Sequence, residues 1–340
     1  MRGCLAWTKR CLSAYRRGAA IPKSTSWRAN ASGAQKLWID CDCGVDDAQG
    51  IMIVLASDQF DVIGISSVRG NVGATQAAKN ISTVLQYCGR EDIPVYAGLD
   101  APITRPFPKM EPDWFGKDGL GDAELSHRSE QPPMENASRH LVDASLKHHD
   151  LSVLAIGPVT NIADACQLDS AFPGRVKSFI CMGGAYGEGN MPGATEFNFF
   201  ADPDAASIVL KSFPLTKLIT WDLAKKCGWD AEAYVKDKSS CKGKFMQAIM
   251  KNPMIRQKSR ADGSKVHLWT GADPVASAVL VSPSLVTKFR FAQCDIDCTY
   301  TETAGRSVFH FDTDAASSNV EVPDEVNMPG FLLLLNGSLE

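Results

Sequence analysis

Apolar and polar positions along the chain change period repeatedly, and each change marks an element. The run Leu37-Trp38-Ile39 reads as the end of a buried strand. From Ala48 the period becomes helical, with Ile51, Met52, Val54 and Leu55 on one face. Between them Gly44 permits a tight turn, so the stretch predicts strand, turn, helix. The alternation goes on. Strands are expected over Val62–Val68, Ile93–Tyr96, Leu151–Ile156, Lys177–Met182 and Thr216–Trp221, with helices over Ala74–Cys88 and Ala137–Lys147. Asp202-Pro203 and Asp273-Pro274 each set an N-cap before a proline at the first helical position. Thr195-Glu196-Phe197-Asn198 reads as extended, and residues 223–270 read as helical without a strand. Cys294–Glu302 and Arg306–Asp312 form a hairpin around Thr303-Ala304-Gly305, and a last helix covers Gly330–Leu335. Strands alternating with helices imply an α/β fold. Its mainly parallel sheet carries helices on both faces in an open, Rossmann-like arrangement, with a C-terminal antiparallel hairpin.

Composition narrows the class. The chain has 340 residues, 44% hydrophobic and 22% charged, which is ordinary globular composition. A net charge of −4 gives no general electrostatic case for a nucleic-acid partner, and no apolar run reaches membrane-spanning length. Eleven cysteines, without paired C-x-x-C spacing or a secretory apolar segment, fit reduced thiols in an intracellular compartment. Residues 1–35 are set apart by seven Lys and Arg and no acid before Asp40, a disordered basic tail or a mitochondrial-type transit segment. Cytoplasm or mitochondrion is the expected location. Residues 36–340 are expected to form one domain.

The chemistry concentrates where the first strand ends. Asp40, Asp42, Asp46 and Asp47 put four carboxylates within eight residues. Capping explains one or two acids at a helix start, hardly four. Like charges this close repel, and burial makes it worse. No Lys or Arg lies within the stretch, so a bound cation is the natural counter-charge; all-oxygen ligands favour Ca²⁺ or Mg²⁺ over Zn²⁺. Polar residues also recur where strands end, at Asp42, Asn71, Thr160, Asn190 and Asp222. A parallel sheet lines such ends along one edge, where ligands bind.

Asp40-Cys41-Asp42-Cys43-Gly44-Val45-Asp46-Asp47-Ala48 resembles the D-x-D-x-G-x-D-D-A opening of the nucleoside hydrolases. The resemblance continues, in family order, through Gly70-Asn71, Ile93-Pro94-Val95-Tyr96-Ala97-Gly98 and Ala155–Asn161. It then takes in Met182-Gly183-Gly184, Glu196-Phe197-Asn198, Asp202-Pro203 and Ala272-Asp273-Pro274. It implies hydrolysis of the N-glycosidic bond of ribonucleosides to ribose and free base. By the same resemblance, Asp42, Asp47, Asp273 and the carbonyl of Thr160 would be Ca²⁺ ligands, and Asp42 the general base. Asp46, Asn71 and Asn198 would bind ribose, Asn190 and Glu196 its 5′-hydroxyl, and Met182 would lie under the sugar. The partner implied is a small-molecule nucleoside, and the assembly a homodimer or homotetramer. The chemistry of the bond agrees. Breaking the bond builds positive charge on ribose, which carboxylates and amide oxygens stabilise.

Two departures bear on the leaving group. Family members often carry His where this chain has Ala272, and another where it has Phe115. Without those acids a purine leaves more easily, because its imidazole nitrogen takes a proton and aromatics stack on it. A purine preference is therefore expected, with Phe115, His267 and Trp269 as candidate base contacts. Trp114 is a further neighbour. Two alternatives remain open. A strand ending in D-x-D also opens haloacid-dehalogenase-like phosphatases, although Gly44, Val45 and the Asp46-Asp47 pair fit that pattern poorly. The missing histidines motivate a catalytically silent nucleoside-binding relative, which the retained Asp42 and Asp47 oppose.

Overall fold

The strand that carries the acidic motif is an interior strand, third from one edge of the nine-stranded sheet that the described residues form, in the order β3-β2-β1-β4-β5-β6-β9-β7-β8. In this computed structural model residues 33–108, 114–125, 133–259, 268–311 and 313–340 are described. They belong to one unit, Gly33–Glu340; most of the basic N-terminal segment, and His267, lie outside the described residues. The strands are β1 (Gln35–Cys41), β2 (Phe60–Ser67), β3 (Val95–Ala97), β4 (Ser152–Ala155), β5 (Ser178–Met182), β6 (Thr216–Ile219), β7 (Val286–Ile296), β8 (Ser307–His310) and β9 (Val320–Val326). Pairing is parallel from β3 across to β9. It becomes antiparallel where β7 meets β9 and β8.

The order 3-2-1-4-5-6 reverses direction between β1 and β4, and open α/β sheets bind ligands at such a switch point. The loops after β1 and β4, carrying Asp42 and Gly157–Thr160, open there. β1 and β4 are buried on both faces, as sequence continuity of Leu37-Trp38-Ile39 and Val153-Leu154-Ala155 requires. Two apolar layers sandwich the sheet. One includes Ile39, Ile51, Ile81, Leu154 and Val275. The other includes Trp38, Val153, Ile162, Phe179 and Val209.

The helix Val45–Leu55 crosses the helix Asp273–Val281 closely at Gly50. A Cβ on Gly50 would lie 2.7 Å from Ser277 Oγ and 3.2 Å from the Asp273 carbonyl oxygen. Without that side chain the two helices approach so that their N-termini meet beside β1. Two carboxylates enter from one and a third from the other, and both dipoles point positive ends at them.

Two expectations need correction, and the C-terminal hairpin is borne out and extended. Glu196–Asn198 is not extended: Phe197–Ala201 is a helix, and Glu196 caps it by accepting from Asn198 N and Phe199 N. The C-terminal hairpin is present, with Gln293–Ile296 of β7 antiparallel to Ser307–His310 of β8, and the antiparallel part of the sheet extends beyond it, because β7 begins at Val286 and β9 inserts between β6 and β7. Pro323, a residue unusual inside a sheet, is accommodated in β9 opposite Phe289, where the pairing register shifts. Between residues 223 and 270 the helices Ala231–Val235 and Cys241–Ser259 are bracketed by a strand-like bridge that pairs Trp229 with Trp269. No described helix is long and apolar enough to cross a membrane.

Candidate active site

The chain turns sharply after β1, and the residue with positive φ is Cys43 at 30°, not Gly44. Gly44 matters for close approach: a Cβ there would lie 2.6 Å from the Phe115 ring and 2.7 Å from Asn71 Nδ2. Asn80 fixes the turn by donating to the Cys43 carbonyl at 2.9 Å and to the Asp118 carbonyl at 2.7 Å. Asp47 Oδ2 accepts from Gly44 N at 2.7 Å and from Asn71 Nδ2 at 3.3 Å. Asp42 Oδ2 accepts from Asn71 N at 2.6 Å. Gly70 and Gly157 leave room for this, since a Cβ on either would run into Asp42.

Each of these carboxylates keeps one oxygen without a partner. Asp42 Oδ1, Asp46 Oδ1 and Asp47 Oδ1 are enclosed and unbonded, although Asp46 as a residue is only half-buried. Carboxylate oxygens of Asp46, Asp47 and Asp273 lie within 4.8 Å of one another. The resemblance grouped Asp42 with Asp47 and Asp273; the geometry adds Asp46 to that group, while Asp42 turns toward Asn71. Thr160 begins the helix Thr160–Leu168, and its hydroxyl donates to Asp202 Oδ2 at 2.8 Å.

Burial pushes these acids upward. Asp42 rises to about 6 from burial, and Asp46 to about 7 from burial and the charge of Asp42. Asp47 and Asp273 stand well above the usual carboxylate range, from burial and from neighbouring carboxylates. Asp40, behind the site, rises to about 7 through burial although Asn161 and Ser66 hydrogen-bond to it. No cationic side chain is among the principal groups acting on the cluster. Unbonded, enclosed oxygens with mutually raised pKa values fit a divalent cation, which would replace this repulsion with coordination.

The acids floor a cleft of about 480 Å³. Asp42, Asp46, Asn71, Met182, Asn190, Glu196, Asn198 and Asp273 all line it. Met182 ends β5, and Asn198 Nδ2 donates to the Met182 and Ile156 carbonyls, both at 3.2 Å. Asn190 Oδ1 accepts from Phe197 N at 2.9 Å. Glu196, pushed to about 7 by burial, takes Gly184 N and the first turn of its helix. Its carboxylate therefore ties the loop after β5 to the helix Phe197–Ala201.

A sequence model of the inosine-uridine preferring nucleoside hydrolase family matches residues 37–332. The chain is 29% identical over 256 residues to uridine nucleosidase 1 of Arabidopsis thaliana, covering 74% of this chain and 76% of that one. It is 29% identical over 287 residues to the inosine-uridine preferring nucleoside hydrolase of Crithidia fasciculata, covering 82% and 88%. The solved purine-preferring ribonucleoside hydrolase from Gardnerella vaginalis matches with a TM-score of 0.80 at 27% identity, over 90% of this chain and 98% of that one. The chain belongs to the nucleoside hydrolase family.

In this nucleoside hydrolase the wall above the acids is aromatic. Trp114, Phe115, Trp221 and Trp269 line it, and the Phe115 and Trp269 rings lie 6.2 Å apart, tilted by 35°. Trp269 is held by paired backbone hydrogen bonds with Trp229. Ala272 and Phe115 both border the cleft, so neither position of the family's frequent histidines supplies an acid here. Asp222, expected at the strand-end edge, instead serves the loop after β5, accepting from Tyr186 N at 2.8 Å. Trp221, Arg256 and Gln257 line the cleft without having been foreseen. Trp221 carried a signal, as the residue next to a strand-end acid. Arg256 and Gln257 sit in a polar stretch of a long helix and look like solvated surface in sequence.

Proposed function

We propose that this nucleoside hydrolase is Ca²⁺-dependent and prefers purine ribonucleosides, with Asp42 as the general base. The observation that carries the reading is the enclosed, unbonded Oδ1 of Asp42 beside the three-carboxylate cluster. Asp46, Asp47 and Asp273 would hold the cation, joined by Asp42 and the Thr160 carbonyl; oxygen donors alone suit Ca²⁺. When bound, the cation fixes the ribose diol and lowers the pKa of a water molecule. Asp42 receives the proton of the attacking water, and Asn71 holds its carboxylate in place. Asn198 and Asn190 meet the sugar hydroxyls, and the carboxylates offset positive charge growing on ribose.

The purine preference rests on the wall. Phe115 and Trp269 offer ring faces, and neither Ala272 nor Phe115 can donate a proton. A purine supplies more stacking area and an imidazole whose nitrogens can accept a hydrogen bond or a proton as the bond breaks. Inosine and uridine, assayed in parallel for free base and reducing sugar, test this. Faster inosine turnover is expected, and comparable or faster uridine turnover would overturn it. The names of the plant relatives, uridine nucleosidases, make that comparison the natural first assay.

A further inference from the structure

The cleft is electrically polar, and its two ends differ. Asp42, Asp46, Glu196 and Asp273 lie at the floor, while Arg256 is the one cationic side chain among the described residues lining the cleft. Arg256 belongs to the helix Cys241–Ser259 and its side chain is one-third exposed, whereas Asp42, Glu196 and Asp273 are buried. N-glycoside cleavage has the same polarity. The ribosyl carbon becomes positive over the floor, and the base leaves carrying the electron pair of the broken bond.

Arg256 is held there. Its Nη2 donates to Asp122 Oδ2 at 2.6 Å. Asp122, with a positive φ of 51°, accepts at its other oxygen from Lys117 N at 2.6 Å. One helical turn earlier, Asn252 Nδ2 donates to the Gly121 carbonyl at 2.7 Å. The loop that brings Phe115 over the floor is thus fastened at two points to the helix that carries Arg256. Phe115 and Arg256 line the same cleft from these two fastened elements.

We propose that Arg256 holds the O6/N7 edge of a 6-oxopurine and stabilises it as the base departs. The proposal rests on the hydrolase reading above and names the substrate class within it. A guanidinium presents parallel N–H donors in a plane, which match the two acceptors O6 and N7. The C1′–N9 bond breaks with its electron pair passing to the base, where it spreads over the imidazole and O6. Water adds to C1′ and gives its proton to Asp42, and the purine anion takes its own proton from solvent. Arg256 thereby substitutes for the acid that Ala272 and Phe115 cannot supply. Adenine sets an amino group, itself a donor, where O6 would be, so the same guanidinium discriminates against it.

The test compares Arg256→Met and Arg256→Lys with wild type on inosine, adenosine and 4-nitrophenyl riboside, whose phenolate leaves without help. Wild type is expected to favour inosine over adenosine. Arg256→Met is expected to lose on the order of 10- to 100-fold in kcat/KM on inosine, with adenosine and the nitrophenyl riboside nearly unchanged. Arg256→Lys keeps the charge and loses the fork, so it falls between. Equal wild-type rates on inosine and adenosine, or a parallel fall on all three substrates in Arg256→Met, would overturn the proposal while leaving the hydrolase reading intact. Cleavage of the nitrophenyl riboside with no release of base from any nucleoside would instead overturn the hydrolase reading itself.

Discussion

The backbone N–H of Asn71 donates to one carboxylate oxygen of Asp42 at 2.6 Å and leaves the other enclosed without a partner. A carboxylate fixed on one side and open on the other suits proton abstraction from an attacking water. Asp42→Asn keeps the shape and removes the proposed base. It is expected to lower kcat by about a thousandfold or more, with the melting temperature held or raised, because a repelling buried charge is gone. Turnover near the wild-type rate in a metal-loaded Asp42→Asn protein would place the base elsewhere.

The raised carboxylates link metal and pH. Asp42 near 6 and Asp46 near 7 bind protons in the folded chain that an unfolded chain, with Asp at 3.8, has already released. Folded pKa values above unfolded ones stabilise at low pH, and that contribution is lost as pH rises through the folded values. Metal-free protein should therefore melt at lower temperature as pH rises from about 5 to about 8, and Ca²⁺ should remove most of this dependence. Melting curves across that range, with chelator and with Ca²⁺, check it. A melting temperature that rises with pH in chelator would contradict the sign.

Gly50 sets the distance between the two helices that supply the acids. Gly50→Ala puts a Cβ 3.2 Å from the Asp273 carbonyl oxygen, so backbone has to move. The expected cost is about 1–3 kcal/mol of stability together with weaker Ca²⁺ binding. Calcium titration by calorimetry reads the second effect. Unchanged affinity in a destabilised variant would separate the helix crossing from the site.

Much of this was legible in the chain. Leu37–Asp47 announced strand, turn, helix and acid cluster, because a buried parallel strand is continuously apolar and four acids without a cation stand out. Ala74–Cys88 was readable to its ends, since its apolar face has helical period and Gly89 stops it in the left-handed conformation. Glu196 misled because its backbone is extended while its side chain caps the helix that follows. The strand β9 was hidden by Pro323 and by two adjacent acids, Asp324 and Glu325. Asp324 is held low, despite its burial, by Arg290 and Tyr186. Arg256 could not be found at all, because only the packing of its helix against the loop of Phe115 turns it toward the cleft.

The aromatic wall carries its own expectation. Phe115→Leu keeps the packing against Gly44 and removes the ring. KM for inosine is expected to rise several-fold while the rate on 4-nitrophenyl riboside changes little. His267→Ala should leave inosine turnover in place; loss of most of kcat there would restore a histidine acid and contradict the stacking account.

Metal-dependent cleavage of the N-glycosidic bond at the carboxylate cluster underlies each expectation above. Its most direct test follows inosine hydrolysis in chelator-treated protein during a Ca²⁺ titration, with base and reducing sugar measured together. No turnover is expected without the ion, with recovery that saturates at one Ca²⁺ per chain and equal yields of hypoxanthine and ribose. Full turnover in protein shown by metal analysis to be metal-free, or release of phosphate from nucleotides with no base from nucleosides, would contradict it.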